Sequence, residues 1–251
     1  MGDALAQATG FGKTDRKDTW WAGPLATALG LGAFGAYATF RAVYNKDYIV
    51  DWPGWGELLS PFFSPLLPVA WISPAFLILW APGGFRATCY YYRKAYYRSF
   101  FADPPACAVG EFRKRYSGET RFPFILQNLH RFFLYVALVF IAILAIDVVR
   151  SCVGPDGFRL SVGSIVLAAN TTLLSCYTFS CHSLRHILGG KRDCFALPSG
   201  QVGGSHKLWR GLSKLNEHHM LWAWCSLFMV GFADFYVWMV ASGTWTDLRI
   251  I

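Results

Sequence analysis

The 251-residue chain is 54% hydrophobic and 18% aromatic with only 15% charged residues, and its mean hydropathy is positive. That balance excludes an ordinary soluble domain and indicates an integral membrane protein. A net charge of +8 does not make it a nucleic-acid binder, because the cations fall in loops between apolar runs. They are topology signals first, and contacts for acidic lipid headgroups or an acidic soluble partner second.

Residues 1–19 are polar and basic and are followed by no small-residue cleavage site, so they predict a cytoplasmic arm preceding a retained first helix rather than a secretory signal. The rest, 20–251, predicts one all-α bundle of five transmembrane helices. Crossing a hydrocarbon core of about 30 Å takes roughly 20 helical residues, and the runs long enough are about 22–43, 62–82, 124–149, 161–186 and 217–241. The second holds Pro65, Pro68, Pro74 and Pro82, which remove backbone donors and kink a helix. Between the first two runs, Trp52, Pro53, Gly54 and Trp55 suit the lipid headgroup level.

Basic residues fix the orientation, because basic loops stay cytoplasmic. Lys13, Arg16 and Lys17 precede the first run, eight cations from Arg86 to Arg121 lie between the second and third, and six from Arg185 to Lys214 between the fourth and fifth. With Arg131, that side carries 18 of the 23 Lys and Arg residues, against Arg41, Lys46, Arg150, Arg159 and Arg249 opposite. The N-terminus is therefore expected in the cytoplasm, and the protein in the inner (plasma) membrane as a multi-pass chain. In the segment FRATCYYYRKAYYRSFF, Arg86, Tyr90, Arg93 and Tyr97 recur at helical spacing and share one face. Such a face serves either as an interfacial belt or as a docking surface that also walls a quinone headgroup.

Candidate redox ligands gather on the same side: Cys89, Cys107, His130, Cys181, His182, His186 and His219. His182 and His186 are one helical turn apart, while Cys181 is turned about 100° from His182. A lone histidine at a helix end is ordinarily a capping or interfacial residue. Several at one depth with thiols beside them are harder to leave without partners at a membrane edge. Two thiolates with two imidazoles are the ligands of a Rieske-type [2Fe-2S] cluster; His130, His182, His186 and His219 are alternatively axial ligands for two b-type haems. Seven cysteines would suggest disulfides in a small secreted protein, but the count is odd and most lie on the reducing side. Cys152, Cys176, Cys194 and Cys225 read as packing or loop residues, His206 as loop and His218 as interfacial. Asp147 and Asp234 fall near the outer helix ends, where solvation by water is expected in preference to a proton relay.

The runs TCYYYRKAYYRSFF, DPPACAVGE, RYSGETRFPFILQNLHRFFLY, YTFSCHSLRH, GGKRD, LNEHHMLWAW and ASGTWTDLRII together resemble the membrane-anchor, or cytochrome b, subunit of actinobacterial-type succinate dehydrogenase and fumarate reductase. The resemblance covers nearly the whole chain after the arm. It implies cytoplasmic iron-sulfur and flavoprotein subunits as partners, and electrons passing from succinate to menaquinone or ubiquinone, with succinate oxidised in a partner. It also implies a membrane-embedded Rieske-type cluster in place of, or besides, haem b, with ligands drawn from the seven residues above and the choice of four left open. A soluble Rieske domain carries its ligands in two short loops, each with a Cys and a His; no such pair exists here, so a cluster would be assembled from separate helices. Tyr92, Arg93, Tyr96, Arg131 and Trp222 stand at the depth of a quinone headgroup. The rival from another class is a metal transporter or membrane scaffold, which would line a midplane path with polar residues; the apolar run LYVALVFIAILAI argues against it.

Overall fold

A computed structural model of the chain describes residues 10–51, 56–69, 71–111, 120–122, 124–155, 157–189 and 203–251. Trp52 to Trp55, Cys194 and the basic residues Arg113, Lys114, Arg115, Lys191 and Arg192 lie outside the described residues. The chain is mostly helical. In order it forms α1 (Ala22–Tyr44), a hairpin of β1 (Ile49–Val50) and β2 (Leu58–Leu59), α2 (Pro74–Ala87), α3 (Tyr90–Phe100), and a 3-10 turn (Phe124–Leu129) running into α4 (His130–Cys152). A second hairpin, β3 (Val153–Gly154) and β4 (Gly157–Phe158), precedes α5 (Val162–Phe179), α6 (His182–Gly189), α7 (Gly204–Glu217) and α8 (His219–Ala241).

Among the described residues three helical stretches are long and apolar enough to cross a membrane: Phe124–Cys152, Val162–Phe179 and His219–Ala241. The second predicted run, 62–82, departs from expectation. Its helix begins only at Pro74 and is 14 residues long, because Pro65 and Pro68 deny the preceding backbone the donors a helix needs. The fourth, 161–186, is interrupted after Phe179, with Ser180 as C-cap of α5 and a new helix starting at His182. The stretch containing His206, expected as loop, is part of the helix α7.

The described residues fall into two compact units, 1–36 with 86–129 and 37–85 with 130–251. In the first, α3 supplies a buried aromatic seam. Tyr92 and Tyr97 are buried, Tyr97 meets Phe124 edge-on at 5.2 Å, and Tyr96 accepts a hydrogen bond from Gln127 Nε2 at 2.8 Å. Residues 10–18 are tied along 107–110: Gly12 N donates to Gly110 O at 3.0 Å and Gly110 N to Lys13 O at 2.8 Å, and the Thr14 hydroxyl donates to Ala108 O at 2.7 Å.

In the second unit α5 packs against both α4 and α8. The core consists of Val50 and Leu58 from the first hairpin with Val166, Leu167, Ala233, Val237 and Val240. Gly163 at the start of α5 is required by this packing, since a Cβ there would lie 2.5 Å from Leu58 Cδ1. Its backbone N–H donates to Asp247 Oδ1 at 2.8 Å, which also accepts from the Tyr236 hydroxyl at 2.6 Å. Residues 248–251 pair with 160–162: Val162 N donates to Leu248 O at 2.9 Å and Ile250 N to Leu160 O at 2.8 Å.

Asp147 and Asp234 are not solvated by bulk water, contrary to expectation; both are buried. Asp234 receives Arg41 Nε at 2.8 Å, and the side chains of both are fully buried. The Tyr37 and Ser60 hydroxyls donate to the same carboxylate. The rest of the Arg41 fork reaches Lys46 O at 3.1 Å, and Trp238 stacks 4.9 Å from its central carbon. Asp147 accepts from the Ser64 hydroxyl. These groups carry their own solvation, as charges at a membrane depth must. Asp234→Ala is expected to destabilise the protein by about 3–5 kcal/mol, because Arg41 would be left buried without its counter-ion. Arg41→Met combined with Asp234→Leu is expected to recover most of that loss, both read as thermal unfolding midpoints of the detergent-solubilised protein.

Candidate functional site

Helix starts and a helix break bring the chemistry of the second unit together. His130 is the first residue of α4 and His219 the first of α8. Cys181 occupies the step between α5 and α6, where Cys181 N donates back to Thr178 O at 3.2 Å and Arg185 N to Cys181 O at 3.2 Å. The step turns the Cys181 side chain inward, leaving it 2% exposed, and sets its Sγ 3.0 Å from His130 Nε2. His219 Nδ1 lies 2.6 Å from the Ser180 hydroxyl, and Asn216 Nδ2 donates to Ser180 O at 2.7 Å. Consecutive residues, Ser180 and Cys181, thus fix one imidazole each.

Aromatic rings frame these groups. Phe85 lies flat on the His130 ring at 4.8 Å and 4°, Tyr177 stacks on His219 at 5.1 Å, and Phe85 and Tyr177 meet edge to face at 5.5 Å. A Cβ on Gly84 would lie 2.3 Å from Phe133 Cε1, so glycine lets α2 approach α4 closely at the residue before Phe85. The His130 imidazole also donates a hydrogen bond to the Phe85 backbone carbonyl. The His130 imidazole, steered through one nitrogen by the backbone with the other beside a thiol, is oriented as a metal-ligating histidine is; His219 is steered by the Ser180 hydroxyl.

In kind these donors suit a Rieske-type cluster; in number they fall short of it. The second unit brings one buried thiol and two imidazoles to this place, where the cluster takes two of each. Among the described residues no group of three or more His, Cys, Asp or Glu side chains is set to hold a metal ion. The other expected ligands stand apart. His182 and His186 are exposed on α6, and partial burial, with the nearby Arg185 guanidinium and the neighbouring His186 ring, holds His182 below the ordinary imidazole pKa. In the first unit Cys107 is exposed, its carbonyl taken by Arg16 at 2.8 Å, while Cys89 is buried at the start of α3. None of the described cysteines is in a disulfide.

The quinone candidates divide between the units. In the first, Arg86 donates to the Tyr92 hydroxyl at 2.6 Å, and the Tyr96 hydroxyl donates to Ala87 O at 2.9 Å. Burial holds both phenols above their ordinary pKa, against the opposing pull of Arg86 on Tyr92 and Gln127 on Tyr96, so both stay protonated donors. Arg93 lies 4.7 Å from the Tyr90 ring centre and 5.9 Å from that of Tyr97, the shared face the spacing predicts. In the second unit Arg131 is exposed against Phe132 at 5.0 Å, and Trp222 buries its indole Nε1 with no hydrogen-bond partner among the described residues. Phe85, Tyr177, Ser180, Asn216 and Gln127 were not legible as site residues; the one available signal was the adjacency of Ser180 to Cys181 and of Asn216, one turn away, to His219.

The family model described as actinobacterial succinate dehydrogenase subunit SdhC matches residues 22–243. The chain is also similar to a chain of the Mycobacterium smegmatis Sdh1 complex in the apo form, at 43% identity over 95% of this chain and 94% of that one, with a TM-score of 0.86. No curated protein matches it. With helices long and apolar enough to span a bilayer and a family match over nearly its whole length, the chain belongs to the actinobacterial SdhC family and is a multi-pass membrane-anchor subunit of succinate dehydrogenase.

Proposed function

We propose that this chain is the electron-transferring anchor of a succinate:quinone oxidoreductase, carrying electrons from an iron-sulfur subunit, itself fed by a flavoprotein subunit, to membrane quinone. The observation that carries this reading is the His130–Cys181 contact at 3.0 Å with the Cys181 thiol buried, in a member of the SdhC family. The assembly named for the similar Mycobacterium smegmatis chain supports the partnership. In this reading residues 1–19 form a cytoplasmic arm and 20–251 the anchor. The arm and the basic face lie on the inner side, as the cation count requires, and the chain crosses five times. The three apolar spans are joined by α1, whose 23 residues measure about 35 Å, and by the proline-rich stretch that leads into α2.

Cys181, His130 and His219 are the residues that would hold the redox group. A Rieske-type [2Fe-2S] cluster supplies one-electron transfer at a potential raised by its histidine ligands. The buried thiol favours it over b haem, which takes imidazoles alone from facing helices. A second thiolate is needed besides these three. The chain's own part is to orient the ligands: Ser180 and the Phe85 backbone fix the two imidazoles, and Phe85 and Tyr177 keep water from them. Tyr92, Arg93, Tyr96, Arg131 and Trp222 are proposed for the quinone, with the Trp222 N–H, which has no partner among the described residues, suited to donate to a quinone carbonyl.

Two measurements test this. In the purified complex, Cys181→Ser is expected to lower iron and acid-labile sulfide by about two atoms each per flavin and to remove a low-field paramagnetic signal. Unchanged iron with sharp reduced b-type bands would replace the cluster by haem, and neither iron loss nor haem would overturn a redox centre at this position. Separately, Trp222→Phe is expected to raise KM for quinone by roughly tenfold, as losing one hydrogen bond to a buried carbonyl does. Succinate oxidation by a soluble acceptor should be unchanged.

A further inference from the structure

Helix α7 buries none of its residues, and its sequence divides into three sectors. At 100° per residue, Trp209 and Asn216 point one way, Leu208, Leu212 and Leu215 fall within an arc of about 60°, and Lys207, Arg210 and Lys214 fall within another arc of about 60° on the far side of the leucines. The first sector is taken up by α6. Arg185 stacks 5.5 Å from the Trp209 ring and donates to Asn216 Oδ1 at 3.3 Å, and a Cβ on Gly189 would lie 2.6 Å from Trp209 Cδ1. In the leucine sector Leu208 is 61% exposed and Leu212 and Leu215 are half-buried, while on α6 Ile187 and Leu188 are 40% and 37% exposed. The three cations are exposed, and among the described residues none has a carboxylate within ion-pair distance.

Both ends of this helix pair are tied to membrane-spanning segments. Helix α5, apolar enough to span, ends at Phe179 three residues before α6 begins, and α8, likewise, begins at His219 two residues after α7 ends. The pair therefore rests at one surface of the bilayer. A helix at that level with leucines on one side and a cation row on the next is built to lie in the interface, leucines among acyl chains and cations among headgroup phosphates. We infer that Lys207, Arg210 and Lys214 form a binding row for the phosphates of acidic phospholipids, with the Leu208–Leu212–Leu215 stripe seated in the acyl region. A soluble protein covering the cations would leave the leucine stripe unaccounted for; a lipid surface satisfies both sectors at once. The inference needs only the membrane placement of α5 and α8 and is independent of which redox group the chain holds.

The test is native mass spectrometry of the purified succinate dehydrogenase complex in detergent, titrated with equimolar phosphatidylglycerol and phosphatidylcholine. The wild type is expected to retain phosphatidylglycerol in preference. K207Q/R210Q/K214Q is expected to reduce that preference by roughly tenfold, and K207R/K214R to keep it, since the row acts through charge. A triple variant that keeps the wild-type preference overturns the proposal, and so does one that keeps its lipid but sheds a soluble subunit, which would make the row a protein contact. Should the triple variant not fold, the wild type decides: a preference unchanged between about 0.05 M and 0.5 M salt overturns it, because exposed phosphate contacts are screened over that range.

Discussion

Inside a bilayer every backbone N–H and C=O has to be satisfied within its own helix, so the interior of a span offers no loop on which to mount a polar site. Chemistry is confined to places where a helix starts, stops or breaks. The protein follows this constraint at both membrane levels. His130 and His219 each open a helix, Cys181 sits in a break, and Ser180, whose backbone caps α5, orients His219 with its hydroxyl. The break is therefore the element that makes one thiol and two imidazoles neighbours. A continuous helix through 179–182 would carry Cys181 and His182 round the same cylinder, with no step to turn the thiol inward.

The opposite ends of the helices obey the same rule with different residues. Arg41 and Asp234 are charged and wholly enclosed, and the cost of removing two ions from water is offset by several further partners: two hydroxyls on the carboxylate, two carbonyls and an indole face around the guanidinium. No ligand site is needed to explain them. The two ends thus differ in kind. One holds a closed, self-satisfied ion pair; the other holds two imidazoles and a thiol.

Much of this was legible in the sequence, for definite reasons. Long apolar runs and the sidedness of Lys and Arg follow from composition, which is why 217–241 anticipates α8 within two residues at its start. The pairing of His130 with Cys181 was legible only as shared depth. Which of seven candidates meet depends on where helices break, and nothing about Ser180 or Cys181 marks them as breakers. The run 62–73 shows the converse: Pro65 and Pro68 signal irregularity, but hydropathy alone reads it as part of a span. Asp147 and Asp234 were read as water-solvated because their partners, Ser64, Ser60, Tyr37 and Arg41, lie 83 to 197 residues away in sequence, beyond any local pattern. Helix α7 was obscured for another reason: its charges resemble a loop until they are placed on a wheel.

The carboxylate of Asp247 reaching Gly163, together with the ladder between 248–251 and 160–162, joins stretches made far apart in time on the ribosome. Helix α5 is complete in sequence long before the residue that ties down its first turn has been synthesised. Its opening amide must stay exposed, or borrow a temporary acceptor, until α8 has been threaded through the bilayer. Insertion of this protein consequently ends with the fastening of the first turn of α5, the apolar helix that precedes α8 in the chain.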